Sequence, residues 1–81
     1  MRRFAIPFAA AALAAPSLAF AQPPENAMPL SQVLAMVEER EDVAYFDEVE
    51  WDSDGYWEIE FYRPDGAQVE IDVDPVSGQN R

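Results

Sequence analysis

The chain has 81 residues, with five Arg and no Lys against sixteen Asp and Glu, and it contains neither His nor Cys. That inventory removes the usual general base, the thiol nucleophile and the ordinary zinc, copper, haem and iron–sulfur ligand sets. A chain this short holds one small domain at most, and no cofactor is expected in it.

Residues 1–21 have the layout of a targeting signal. Met1-Arg2-Arg3 supplies a positive start, residues 4–15 are apolar and Ala-rich, Pro16 breaks any helix, and Ala19-Phe20-Ala21 fits the small-x-small cleavage pattern. Cleavage is expected after Ala21, with a cut after Ala19 as the weaker option. An uncleaved anchor is the competing reading, but Pro7, Pro16 and mostly Ala side chains make a poor membrane span. Cleavage removes Arg2 and Arg3 and leaves every carboxylate, so residues 22–81 carry three Arg against the sixteen acids, a net charge of −13. Nucleic acid and anionic membrane surfaces would repel such a chain, which leaves a protein as the expected partner. Export leads to an oxidising compartment, yet no disulfide is possible, and a small core must hold the fold alone. A domain of this size buries only about 60% of its unfolded surface and retains about 3–5 kcal/mol of net stability.

Residues 22–29 hold three Pro and no apolar period, the pattern of a flexible tether. The domain is expected over residues 30–81. Leu30, Val33, Leu34 and Val37 follow the i, i+3, i+4, i+7 spacing of one helix face. Ser31 is the expected N-cap and Gln32 the opening of a helix of roughly eleven residues. The run Glu38-Glu39-Arg40-Glu41-Asp42 closes it, and there only Arg40 suits the negative end of the helix dipole.

From Val43 onward the period changes to two, and three strands follow. Val49 and Trp51 share a face in the first, with Glu48 and Glu50 opposite. In the second, Trp57, Ile59 and Phe61 lie on one side and Tyr56, Glu58, Glu60 and Tyr62 on the other. In the third, Val69, Ile71 and Val73 oppose Gln68, Glu70 and Asp72. The adjacent pair Tyr45 and Phe46 cannot both point inward, and the alternation leaves their sides open. Asp52-Ser53-Asp54-Gly55 and Arg63-Pro64-Asp65-Gly66 are hairpin-length loops ending in Gly, and Asp74-Pro75-Val76-Ser77-Gly78 closes the third strand in another turn. Only Gln79, Asn80 and Arg81 follow, too few for a full fourth strand. The expected fold class is α+β, one short helix packed on a three-stranded antiparallel meander.

The ordered set Val49-Glu50-Trp51, Asp54-Gly55-Tyr56-Trp57-Glu58-Ile59, Asp65-Gly66, Val69-Glu70-Ile71-Asp72-Val73 and Asp74-Pro75-Val76-Ser77-Gly78 resembles a PepSY domain. That family's pattern is a helix, a strand, a hairpin bearing Asp-Gly and an aromatic, a second Asp-Gly turn and a closing Val-Asp-Pro-x-Thr/Ser-Gly. The resemblance covers residues 30–78. It implies a secreted or cell-envelope module, similar to segments of the propeptides of thermolysin-type metalloproteases, that binds and restrains a peptidase. The family motif contains no catalytic residue.

Glu48, Glu50, Glu58, Glu60, Glu70 and Asp72 are expected to share one sheet face with no cation among them, an arrangement that self-repulsion disfavours. The simplest use of such a face is solubility. The functional use is docking of a basic partner, for which Tyr56, Tyr62, Glu58, Glu60, Glu70 and Asp72 are the candidate contact residues; the short sheet edge left at the end of the chain is an alternative contact. Alternatives of another class are a cation- or basic-ligand-binding protein and a structural subunit of an envelope assembly. Asp52-x-Asp54-Gly55 resembles part of a calcium loop, but the position that needs a bidentate carboxylate falls on Phe61. No metal site is assigned there. Glycosidase-like use of Glu58 with Glu60, or of Glu70 with Asp72, would need a cleft that so small a domain has no room for, and no enzymatic activity is expected.

Overall fold

The structure is a computed structural model that describes residues 21–81. The targeting segment, and with it all but the last residue before the expected cut, lies outside the described residues. Helix α1 (Leu30–Arg40) is followed by β1 (Tyr45–Asp52), β2 (Tyr56–Tyr62) and β3 (Gln68–Val73), and the strands form one antiparallel sheet in the order β1-β2-β3. The α+β meander expected from the periodicities is the architecture observed.

Helix α1 starts two residues earlier than the expected opening at Gln32. Pro29, not Ser31, is the N-cap, and no side chain caps the helix. The Pro29 carbonyl accepts from the backbone N–H groups of Gln32 and Val33 at 2.9 and 3.1 Å, which draws Leu30 into the first turn, where it packs on the core. Proline is suited to this entry because its ring presets φ, here −59°, and its missing N–H has no intrahelical partner to lose. Immediately upstream, the Met28 N–H donates to the Pro75 carbonyl at 2.9 Å and its side chain packs on the core, so the Pro-rich segment meets the domain at that residue.

Among the described residues five hydrophobic side chains are fully buried, namely Val33 and Val37 of α1, Ile59 and Phe61 of β2, and Val73 of β3. They form one cluster, with Leu34, Phe46, Val49, Trp57, Val69 and Ile71 half-buried around it. The helix therefore roofs the apolar side of the middle strand. Trp57 packs on this cluster and meets Trp51 edge to face at 5.1 Å between ring centroids.

A bulge in β1 settles the two adjacent aromatics. Phe46 pairs with Phe61 and Glu48 with Glu60, so Asp47 is the extra residue. The side-chain alternation resets there. Phe46 faces the core, 6.3 Å edge-to-face from Phe61, whereas Tyr45 falls on the opposite side and stacks on Tyr62 at 5.1 Å.

The turns use Asp and Gly as the sequence indicates. The Asp54 N–H donates to Asp52 Oδ1 at 2.8 Å with Gly55 at φ +105°, and the Ala67 N–H donates to Asp65 Oδ1 at 2.9 Å with Gly66 at φ +91°. The calcium-loop-like segment is thus a hairpin turn. In the third loop Asp74 Oδ1 accepts from the N–H groups of both Val76 and Ser77, at 2.8 and 2.9 Å. That loop turns the chain back beside β3. The Asp74 N–H donates to the Gln79 carbonyl, Asn80 bridges Val73 antiparallel, and the Arg81 N–H donates to the Asp72 carbonyl at 2.9 Å. The last residues make no full strand, but they do cover one end of the β3 edge.

Candidate functional site: the carboxylate face

Cross-strand register assembles the face. One row runs Glu50, Glu58, Asp72 and the next runs Glu48, Glu60, Glu70, each read across β1, β2 and β3. Directly opposed residues on one face of a sheet have Cβ atoms only about 5 Å apart, so each central glutamate is pressed from both sides. Glu48, Glu50, Glu58, Glu60 and Glu70 line a shallow recess. Among the described residues none of the six carboxylates forms an ion pair. Arg63 pairs with Glu41 at 3.6 Å, Arg40 donates to Asn80 Oδ1 at 2.7 Å, and Arg81 lies over the Tyr56 ring, 4.1 Å from its centroid.

The electrostatics follow from this layout. Glu58 is held above the ordinary glutamate range, first by partial burial between its strand neighbours and then by the charges of Asp52, Glu70, Asp72 and Glu50. Glu60 is raised as well, by partial burial, by a hydrogen bond and charge from Asp47, and by Glu48 and Glu70. Tyr56 and Tyr62 are also raised, again by partial burial first and then by nearby carboxylates, Asp52 foremost for Tyr56 and Asp47 for Tyr62. Asp74, at the loop below the face, is shifted the other way, because the backbone N–H groups of Ser77 and Val76 bond its ionised form.

The four glutamate and aspartate candidates Glu58, Glu60, Glu70 and Asp72 are brought together, with Tyr56 at one end of the central strand and Tyr62 at the other. Carboxylate oxygens of Glu58, Glu70 and Asp72 lie within 4.8 Å of one another. Four further residues join the face beyond those the alternation marks. Asp47 reaches Glu60 from the bulge, Asp52 borders Tyr56, Tyr45 stacks on Tyr62, and Arg81 brings a guanidinium to Tyr56. An odd spacing between Phe46 and Val49, both apolar, is the one sequence signal of the bulge. Nothing comparable marks Arg81, whose position depends on the Asp74 loop.

Chemically the face presents dense negative charge flanked by aromatic rings on a rigid strand array. Such a surface suits cationic side chains, which gain from the carboxylates and can stack on tyrosine. Among the described residues no helix is long and apolar enough to cross a membrane. No curated protein and no solved structure matches the chain. A family model described as the peptidase propeptide and YPEB domain matches residues 3–80, nearly the whole chain, and the protein belongs to that family.

Proposed function

We propose that this chain is an exported, non-enzymatic module that binds a peptidase and restrains it, with the carboxylate face as its docking surface. The observation that carries the reading is the two-by-three array of Glu50, Glu58, Asp72 and Glu48, Glu60, Glu70, which forms no ion pair among the described residues and has Arg81 alone at its edge, over Tyr56, in a domain of the propeptide family. A fold that tolerates such self-repulsion releases it when a cationic surface docks, so the same array disfavours the free state and favours the complex. Tyr56 and Tyr62 supply amphipathic contact at its two ends. Cleavage after Ala21 delivers the domain to the envelope or medium with Gln22 as its first residue, which mass spectrometry of the exported protein checks directly.

The test of restraint is capture from an envelope extract on the immobilised protein, followed by assay of the captured peptidase with and without added protein. The reading expects a peptidase in the captured fraction whose activity falls on addition. A captured peptidase indifferent to the protein, or no peptidase at all, contradicts it. One observation favours a second reading, divalent-cation binding, namely the convergence of Glu58, Glu70 and Asp72 oxygens within 4.8 Å. Calcium has to raise the melting temperature beyond sodium at matched ionic strength for that reading to hold.

A further inference from the structure

Which side of β3 is open follows from the hydrogen-bond pattern. In an antiparallel pair alternate residues direct both backbone groups toward the partner strand. The Arg63 N–H donates to the Ala67 carbonyl, so residues 67, 69, 71 and 73 turn toward β2, and residues 68, 70 and 72 turn away. Asp72 bears this out, since its carbonyl accepts from Arg81 on the outer side. The outward backbone groups of Gln68 and Glu70 have no partner among the described residues.

The last residues of the chain show what this edge accepts. Asn80 lies opposite Val73 in an antiparallel bridge, which puts Arg81 opposite Asp72 and its side chain on the carboxylate face, where it stacks on Tyr56. Continued in the same direction, a strand would meet Ile71, Glu70, Val69 and Gln68 in turn. Opposite Glu70 its side chain would stand beside the Glu48, Glu60, Glu70 row, and opposite Ile71 and Val69 it would extend the half-buried apolar side. A second copy of this chain is disfavoured as the occupant, because pairing β3 with itself sets Glu70 and Asp72 against their own kind.

We propose that the outer edge of β3 at residues 68–71, beyond the stretch that Asn80 and Arg81 cover, is a strand-addition site for an extended segment of a partner protein in which basic and apolar residues alternate, the basic side chains lying on the carboxylate face. The site rests on the interaction-module reading above and names its contact and its ligand chemistry. Backbone bonds to Gln68 and Glu70 give the segment its register, and charge selects its sequence.

The experiment uses the full chain, isotopically labelled, titrated with acetyl-Arg-Val-Arg-Val-Arg-amide and with its isomer acetyl-Val-Val-Arg-Arg-Arg-amide. The alternating peptide is expected to slow amide exchange at Gln68 and Glu70 and to bind about tenfold tighter than the isomer, the difference that one or two added hydrogen bonds make. Gln68→Pro deletes an outward donor while leaving the β2 ladder and every charge in place, and it is expected to remove most of that difference. If this variant does not fold, an alternating peptide N-methylated on the amides that face β3 makes the same test on the wild type. Equal affinity for the two peptides, or no protection at Gln68 and Glu70, overturns the inference. Peptidase restraint that persists in Gln68→Pro but is lost on neutralising the glutamates also overturns it, while leaving the face reading intact.

Discussion

Gly78 is held to glycine by two separate constraints. Its φ is +75°, and a Cβ there would approach Met36 Sδ to 2.6 Å. Gly66 has only the first constraint, with φ +91° and nothing within 4 Å of a built Cβ. Gly66→Ala therefore costs the left-handed penalty alone, about 1–2 kcal/mol. Gly78→Ala is expected to cost more by whatever Met36 must give, and denaturant unfolding of the two variants, with Met36→Ala in the Gly78→Ala background, separates the terms. Glu58 offers the opposite case. Its carboxylate is surrounded by Asp52, Glu70, Asp72 and Glu50, and Glu58→Gln removes the most crowded charge without changing shape. The variant is expected to melt at a higher temperature than wild type at pH 7, and an unchanged or lower melting temperature would show that the neighbours do not crowd it.

At the level of elements, β1 shows both the reach and the limit of periodicity. Val49 with Trp51, and Glu48 with Glu50, fall on the sides that alternation assigns, because one buried face forces a two-residue period. Tyr45 and Phe46 could not be placed that way, since the bulge at Asp47 inserts a residue and inverts the parity before it. Deleting Asp47 restores unbroken alternation from Phe46 to Trp51 and removes the carboxyl that bonds Glu60. The deletion is expected to fold with Phe46 still opposite Phe61, within about 1 kcal/mol of wild-type stability. Deleting Val49 instead also leaves Phe46 and Trp51 inward but sets Glu48 in Val49's place opposite Ile59, burying a carboxylate against the core, and should prevent folding; cross-strand nuclear Overhauser contacts check both. Local preference points to Ser31 as the helix cap, and tertiary packing of Leu30 overrides it, with Pro29 as the N-cap. The course of Gln79, Asn80 and Arg81 is illegible in the sequence for a related reason, since it depends on two backbone bonds to Asp74 Oδ1 and two more that join Gln79 and Arg81 to Asp74 and Asp72 rather than on any period.

For the molecule as a whole, the balance lies between a five-residue buried core and a face that opposes folding. Glu58 and Glu60 bind their protons more tightly folded than unfolded, so their contribution is complete below the unfolded value and is lost as pH rises through the raised folded value. Asp74 works in reverse, since its stabilisation is present above its unfolded value and is lost as pH falls through the depressed one. The melting temperature should therefore climb on mild acidification from pH 7 through the raised glutamate values, then fall once Asp74 protonates, and added sodium chloride should raise it at neutral pH. A curve flat in both pH and salt would mean that the carboxylates do not repel. The six acids and two tyrosines of the face were legible because each sits on a regular strand, and what they bind was not, because a partner leaves no period in the chain. The most direct measurement is the inhibition constant for a captured peptidase of wild type and of Glu58→Gln/Glu60→Gln/Glu70→Gln, both checked for the same fold by circular dichroism. If the carboxylate face docks the enzyme, the neutralised variant inhibits at least about tenfold more weakly, as loss of close charge pairs entails, and the wild-type constant weakens with salt; equal constants at every salt concentration would contradict the account.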